Sequence, residues 1–335
     1  MKAWHVTAHG APGDVMSLVD VADPQLPPGH VLCEVSAVAL GLPDTLMCRD
    51  SYLLTPRLPF TPGQELTGTV VACGLGARLF EPGDRVLGVS SFITGHGALA
   101  ERAVVPEEQL YRVGESMSAQ QAAAFFIAYH TGYVGLVTRG KLVAGETLLV
   151  HGGAGGVGTA AIQLGKALGA NVIATAGGPH KVAVCERMGA DTVIDHRARD
   201  FVEAVREATD MRGVDLVYDP VGGDTYERSF ECMAMLGRIL PIGFASGRWG
   251  RAPMDLVLMN NLSIVGVLPN GFGRVAMERN HDALLDLFER GALRPHIDAT
   301  VGFEEVPVAL QRVADRDSVG RIVVRVGGGS DGTGP

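Results

Sequence analysis

The eight residues His151 to Gly158, HGGAGGVG, have the types and spacing to hold a pyrophosphate. A glycine-rich turn lets backbone N–H groups approach phosphate oxygens where a side chain would intervene. A helix N-terminus behind it adds unpaired amides and a positive dipole end. On this spacing Gly153 serves the tight turn, Gly155 the close approach to the pyrophosphate, and Gly158 the packing of helix on strand. Ala154, Gly156 and Val157 complete the phosphate-facing loop. A glycine-rich turn can also simply end a strand, so the flanks decide. Before it, Thr147-Leu148-Leu149-Val150 reads as a buried parallel strand; after it, Ala161, Leu164, Gly165 and Leu168 fall at helical spacing. Strand, turn and helix in that order form a dinucleotide-binding unit.

The next strand, Asn171 to Thr175, decides which dinucleotide. An NAD site places Asp or Glu just beyond it to accept from the ribose hydroxyls. Here Ala176-Gly177-Gly178-Pro179-His180-Lys181 follows, and no acid appears before Glu186. Open glycines at Gly177 and Gly178 with Lys181 suit a 2′-phosphate, and His196 and Arg197 beyond the third strand could add to the same pocket. The alternative for Lys181 is a solvated lysine at a helix start. NADPH is the expected cofactor.

These groups need a scaffold, and the chain supplies a regular one. Strands near 147–151, 171–175, 192–195, 214–218, 238–242 and 263–267 alternate with helical stretches, the pattern of an α/β fold with a doubly wound, six-stranded parallel sheet. Ligands bind outside the carboxyl ends of such strands. That places Val221 along the adenosine half of the groove and Ile242, Gly243, Phe244 and Leu268 near the nicotinamide. The first ~120 residues read instead as short strands with turn signals such as Phe60-Thr61-Pro62-Gly63, a β-rich, barrel-like domain. The final strand, Arg321 to Val326, is expected to rejoin it. The expected domains are therefore 1–122 with 268–326, then 123–267, with a disordered tail at 327–335.

Composition narrows the class. A net charge of −9 without a basic stripe argues against nucleic acid as a partner. No apolar stretch approaches the ~20 residues of a membrane helix, and the N-terminus lacks signal-peptide regions. Five cysteines form no C-x-x-C pair, which fits reduced thiols and a cytoplasmic protein. A metal site is not expected: the ten histidines supply no ligand spacing.

Together, LPFTPGQELTGTVVACG, EPGDRVLG, LLVHGGAGGVGTAAIQLGKALGA, MGADTVIDHR and VDLVYDPVGGDTYERS resemble the medium-chain dehydrogenase/reductase superfamily, in its zinc-independent quinone oxidoreductase branch. The resemblance runs from MKAW to GRIVVRV. It implies a GroES-like β-rich catalytic domain made from both ends of the chain, an active site in the cleft between the domains, and hydride transfer from NADPH to a quinone, enone or enoyl thioester. In sister branches a Cys, a His and a later Cys hold a catalytic zinc. The matching positions here are Gly41, Gln64 and approximately Ile127, none a good ligand.

Without a metal, the acceptor's developing enolate or phenolate oxygen needs hydrogen-bond donors and a proton. Tyr52 matches a tyrosine that many family members place beside the substrate; its other reading is a half-buried aromatic. Thr131 matches a threonine contacting the nicotinamide end. Many relatives carry Asn where this chain has Gly41, so the pocket is expected to be more open there, with His130 as a candidate replacement donor or a helix-packed neutral histidine. Besides a quinone or enone reductase, two readings stand: an enoyl reductase for a biosynthetic thioester or polyketide intermediate, and a cofactor-binding protein with a scaffold role. A homodimer is expected, paired through the apolar edge strand Ser263 to Val267.

Overall fold

The computed structural model describes residues 1–327, so all of the expected disordered tail except Gly327 lies outside the described residues. The chain divides into two units: Met1–Ile127 together with the chain from His296 onward, and Ala128–Pro295. Residues 268–295, expected with the β-rich domain, fall in the second unit. The helix Arg274–Glu289 buries Leu284 and Phe288, and Arg294 accepts and donates hydrogen bonds with Gln163 of the helix Gly156–Ala167.

In the first unit β1 (Lys2–Val6) and β2 (Met16–Asp20) form a two-stranded antiparallel ribbon. A larger sheet comprises β3 (His30–Leu40), β4 (Glu65–Cys73), β5 (Arg85–Val89), β6 (Arg102–Pro106) and β7 (Leu110–Arg112). Two strands from the far end of the chain, β14 (Ile297–Gly302) and β15 (Arg321–Arg325), complete it. The order is β14-β15-β3-β4-β5-β7, with β6 also on β3. The long strand β3 is the spine, and β15 pairs with it antiparallel from Leu40 to Ala37. That pairing makes the C-terminal strand part of the N-terminal unit. One short helix, Leu42–Cys48, leaves the end of β3.

In the second unit β8 (Thr147–Val150), β9 (Asn171–Ala176), β10 (Thr192–Asp195), β11 (Val214–Asp219), β12 (Met233–Pro241) and β13 (Ser263–Ile264) form one parallel sheet in the order β10-β9-β8-β11-β12-β13. This is the doubly wound topology, and its order reverses between β8 and β11. Every residue of β8 is buried, as a central parallel strand covered on both faces must be. The edge strand is shorter than expected. Only Ser263 and Ile264 pair as a strand, after which Val265 donates one further bond to Ile239 and Gly266 leaves the sheet. Between the two sheets the chain forms the helices Ala119–Ala123 and Phe126–Tyr133, and the latter continues as a π-helical segment, Val134–Arg139.

Candidate active site

At the reversal point the turn after β8 is tied to both neighbouring strands. His151 N–H donates to the Tyr218 carbonyl on β11 at 3.0 Å, and Gly153 N–H donates to Thr175 on β9 at 2.9 Å. The positive φ that the turn requires sits at Gly152 (+56°) and not at Gly153. Gly153 is needed for a different reason: a Cβ there would lie 2.9 Å from Cys185 Sγ and 3.0 Å from Ala174 Cβ. At Gly158 a Cβ would meet the Gly152 carbonyl oxygen at 2.2 Å, so only glycine lets the helix rise so close to the turn. Gly155, by contrast, would meet only the Gly152 oxygen, at 3.3 Å, and so faces room for a ligand. The helix begins at Gly156 with no side-chain cap, which leaves its first amides and dipole to an anion. Ala154 is buried, and Val157 lies on the first turn.

His151 holds this turn from inside and was not foreseen as a structural clamp. Fully buried, it contacts Thr175 Oγ1 through Nδ1 and Ser229 Oγ through Nε2, both at 2.9 Å. Ser229 donates its own proton to the Thr225 carbonyl at 2.6 Å, so it accepts from Nε2–H, and Thr175 donates to Nδ1. Both ring nitrogens are satisfied by the neutral ring. Burial, reinforced by His196, lowers its pKa to about 3. The only local hint in the sequence is a histidine at the end of an otherwise apolar strand.

The second side of the groove is shaped by Asp219, at the end of β11. Its carboxylate accepts from Val221 N–H at 2.8 Å and from Gly222 N–H at 3.1 Å, while burial pushes its pKa up to about 6. The fold of this loop brings Val221 to within 3.4 Å of the Cβ position of Gly152. Ile242 and Gly243 N–H both donate to the Asp219 carbonyl, which draws the end of β12 to the same place. Phe244 packs on Trp249 with ring centroids 4.7 Å apart. Leu268 is 68% exposed and lines a cavity of about 600 Å³ with Gly243, Trp249 and Phe272. Thr131 is half-buried on its helix, next to Gly132, whose close packing on Leu164 fixes the helix position.

At the end of β9, Gly177 and Gly178 lie beside His196 and Arg197. A Cβ at Gly177 would lie 3.0 Å from both His196 Nε2 and Arg197 Nε. Gly178 has φ +88°, with Arg197 Nη1 3.5 Å from its Cβ position. Lys181 is half-buried in the first turn of the helix Pro179–Arg187. The carboxylate of Asp195, next to His196 in the chain, accepts from Gly178 and Arg197 N–H, both at 3.0 Å. Those amides hold its pKa below the usual range. The turn thus gathers an imidazole and a guanidinium beside a carboxylate that two amides hold. These residues fit a dinucleotide with a phosphorylated ribose: the glycines leave the space that a Cβ would fill, and the guanidinium and imidazole stand at its rim.

In the first unit, Tyr52 follows the helix Leu42–Cys48, half-buried, with Thr55 closing a turn onto its carbonyl. Its hydroxyl makes no hydrogen bond among the described residues, and Leu53 (90%) and Leu54 (41%) beside it are exposed. Gly41 lies against its own loop and Arg321. A Cβ there would meet Pro43 Cδ at 3.3 Å and both Arg321 Nη1 and Asp44 Oδ2 at 3.5 Å. Gly41, Gln64 and Ile127 nevertheless gather around one buried ionic cluster. Asp44 accepts from Gly41, Gly63 and Gln64 N–H; Glu65 accepts from Ile127 N–H at 2.7 Å and pairs with Arg321. A glycine, a carboxamide and an isoleucine do not fit zinc, and a guanidinium occupies the neighbouring space. Among the described residues no group of three or more His, Cys, Asp or Glu could hold a metal. His130 is buried in the second unit, with Nε2 3.1 Å from His281 Nδ1, and burial keeps it neutral, in keeping with its helix-packed reading.

Residues 27–115 match the alcohol dehydrogenase GroES-like domain, and residues 156–287 match the zinc-binding dehydrogenase family. The quinone oxidoreductase-like protein 2 homolog of Nematostella vectensis is 34% identical over 88% of this chain and 81% of its own length. Human quinone oxidoreductase is 30% identical over 93% of this chain and 94% of its own. The crystal structure of Escherichia coli quinone oxidoreductase complexed with NADPH superimposes with a TM-score of 0.90 at 27% identity, covering 97% of this chain and all of that one.

Proposed function

From a chain that belongs to the quinone oxidoreductase branch of the medium-chain dehydrogenase/reductase superfamily, we propose an NADPH-dependent, zinc-independent reductase of quinones or α,β-unsaturated carbonyls. The observation that carries this reading is the cationic turn at Gly177, where His196 and Arg197 stand within 3.0 Å of the glycine's Cβ position. An NADH site would carry an acid at that place. Gly153, Ala154, Gly155, Gly156 and Val157 bind the pyrophosphate; Gly177, Lys181 and His196, joined by Arg197, bind the 2′-phosphate. Val221 covers the adenosine half, and Thr131, Ile242, Gly243, Phe244 and Leu268 position the nicotinamide end.

NADPH, when bound, supplies the hydride. The chain's part is to orient the acceptor, exclude water and manage charge and a proton at the acceptor's oxygen. Tyr52 supplies that proton from its phenol. The exposed apolar residues near the sheet edge, Ile264 (44%), Leu258 (76%), Met259 (71%) and Met254 (66%), support a homodimer that covers this edge. Steady-state oxidation of NADPH and NADH with a panel of quinones and enones tests the function. Turnover preferring NADPH is the expected result; NADPH binding with no turnover of any acceptor would favour the scaffold role.

A further inference from the structure

The cavity of about 600 Å³ in the second unit lies where β12 and β13 end. Trp249, Phe272, Tyr226, Pro241 and Leu268 line it, and among the described residues no charged side chain does. Its size suits a small organic molecule. Trp249 is 56% exposed, yet the loop that carries it is held firmly to the helix Gly223–Ser229. Arg248 pairs with Asp224 and, at 2.8 Å, with Glu227, and Arg251 N–H donates to Glu227 at 2.9 Å. Gly223 N–H donates to the Arg248 carbonyl at 3.1 Å, and a Cβ at Gly250 would lie 2.6 Å from Tyr226 Cδ1. Phe244 backs the indole from the same loop. A large ring kept open to water on so fixed a loop is preorganised to meet another flat ring. Tyr226 adds one polar atom. The residue is 6% exposed, and its hydroxyl makes no hydrogen bond among the described residues yet stays accessible. Burial, with Asp219 nearby, pushes its pKa up to about 12, so it remains a donor.

We infer that this cavity holds the flat ring system of a neutral, bicyclic quinone, with Trp249 stacked on its second ring and the Tyr226 hydroxyl donating to a quinone oxygen. This names the acceptor of the reductase reading above and rests on it. Gly243 and Leu268, which position the nicotinamide end, line the same cavity, so a ring held by Trp249 lies beside the hydride donor. The lining discriminates between acceptors. A phosphate-bearing thioester needs cations, and the cavity presents none among the described residues. A small enone has no ring face for an indole to cover. A bicyclic quinone offers both a π face and a carbonyl oxygen, which match the indole and the phenol in turn.

Dimethylnaphthoquinone and tetramethylbenzoquinone are suitable probes, because neither has a free quinone C–H for thiols to attack. In a Trp4→Phe background saturated with NADP⁺, which has no hydride to give, the naphthoquinone should quench Trp249 fluorescence to saturation. With NADPH, Trp249→Ala should raise KM for the naphthoquinone about tenfold and KM for the benzoquinone less than about twofold, with NADPH affinity unchanged. Trp249→Phe should recover most of that loss, as a stacked ring does. Tyr226→Phe should raise both KM values by about 2–10-fold and leave the melting temperature unchanged. Quenching that does not saturate, or equal KM values for wild type and Trp249→Ala on the naphthoquinone, overturns the inference and leaves the reductase reading intact. Dissociation of a dimer by Trp249→Ala would mean that a second copy covers the indole, which also overturns it. A wild-type protein that binds NADPH and reduces no acceptor overturns both.

Discussion

Lowering the pH from 7 to 5 should weaken the dinucleotide-binding unit through His151. The folded ring is neutral, bonded at both nitrogens, with a pKa of about 3 against 6.5 in the unfolded chain. Above 6.5 neither state carries the proton and the contribution to stability is complete. Below 6.5 only the unfolded chain takes it up, so stability is lost progressively down to about 3. One pKa unit is ~1.4 kcal/mol, so the loss at pH 5 is about 2 kcal/mol from this one residue. Other buried groups, His130 among them, titrate too, so the comparison must be with His151→Gln, which keeps a donor and an acceptor but no titration. The chain has two tryptophans, and a Trp4→Phe background leaves Trp249 as the fluorescent probe of the second unit. Urea titrations at pH 7, 6 and 5 in that background should show a steeper loss for the His151 protein than for the glutamine variant. The gap should approach 2 kcal/mol at pH 5. Parallel pH dependences would refute the reasoning and mean that the folded ring can hold a proton.

Lys181→Ala should weaken NADPH binding by about 1–3 kcal/mol and hardly affect NADH, and Arg197→Ala should act in the same direction; calorimetric titration of both nucleotides tests this, and equal effects on both would sink the 2′-phosphate assignment. Tyr52→Phe should lower enone turnover by about 10²–10⁴-fold with NADPH affinity unchanged, and quinone turnover by less, because a reduced quinone is a weaker base that takes its proton from water; full activity on both would return the proton to solvent. Arg321→Met should destabilise the β-rich unit by about 3–5 kcal/mol because Glu65 and Asp44 lose their internal cation, read from Trp4 fluorescence in urea with Trp249 replaced by Phe; a cost below about 1 kcal/mol would show that the cluster is not ionised. Sedimentation at micromolar concentration should show a dimer that Ile264→Lys dissociates, and a monomeric wild type would contradict the edge-pairing proposal.

Much of the glycine-rich turn and its flanking elements was legible because its signals are local. A buried strand, a glycine-rich turn and a helix must follow one another within some twenty residues, and glycine types betray close approach. The identity of the needed glycine was legible only in part. Gly152, not Gly153, carries the positive φ, while Gly153 is demanded by Cys185 and Ala174, residues that a linear reading cannot place beside it. The missing acid directly after β9 was readable as an absence, but that Asp195 brings its carboxylate onto the Gly178 and Arg197 amides was not.

By itself, then, the sequence determined the elements whose cause lies within a few residues: the six-strand alternation, the phosphate turn, and the lack of zinc ligands at Gly41, Gln64 and Ile127. The tertiary structure decided what depends on residues far apart in the chain. It put Arg321 against Glu65, 256 positions earlier, by pairing β15 with β3, with a guanidinium nitrogen 3.5 Å from the Cβ position of Gly41. It likewise set His151 between Thr175 and Ser229, turning that histidine into a clamp on the glycine-rich turn. Local periodicity follows from backbone geometry, which each short segment carries in itself. The partner of a buried polar group is fixed only when distant strands and helices pack, because only then does removal from water oblige each such group to find one.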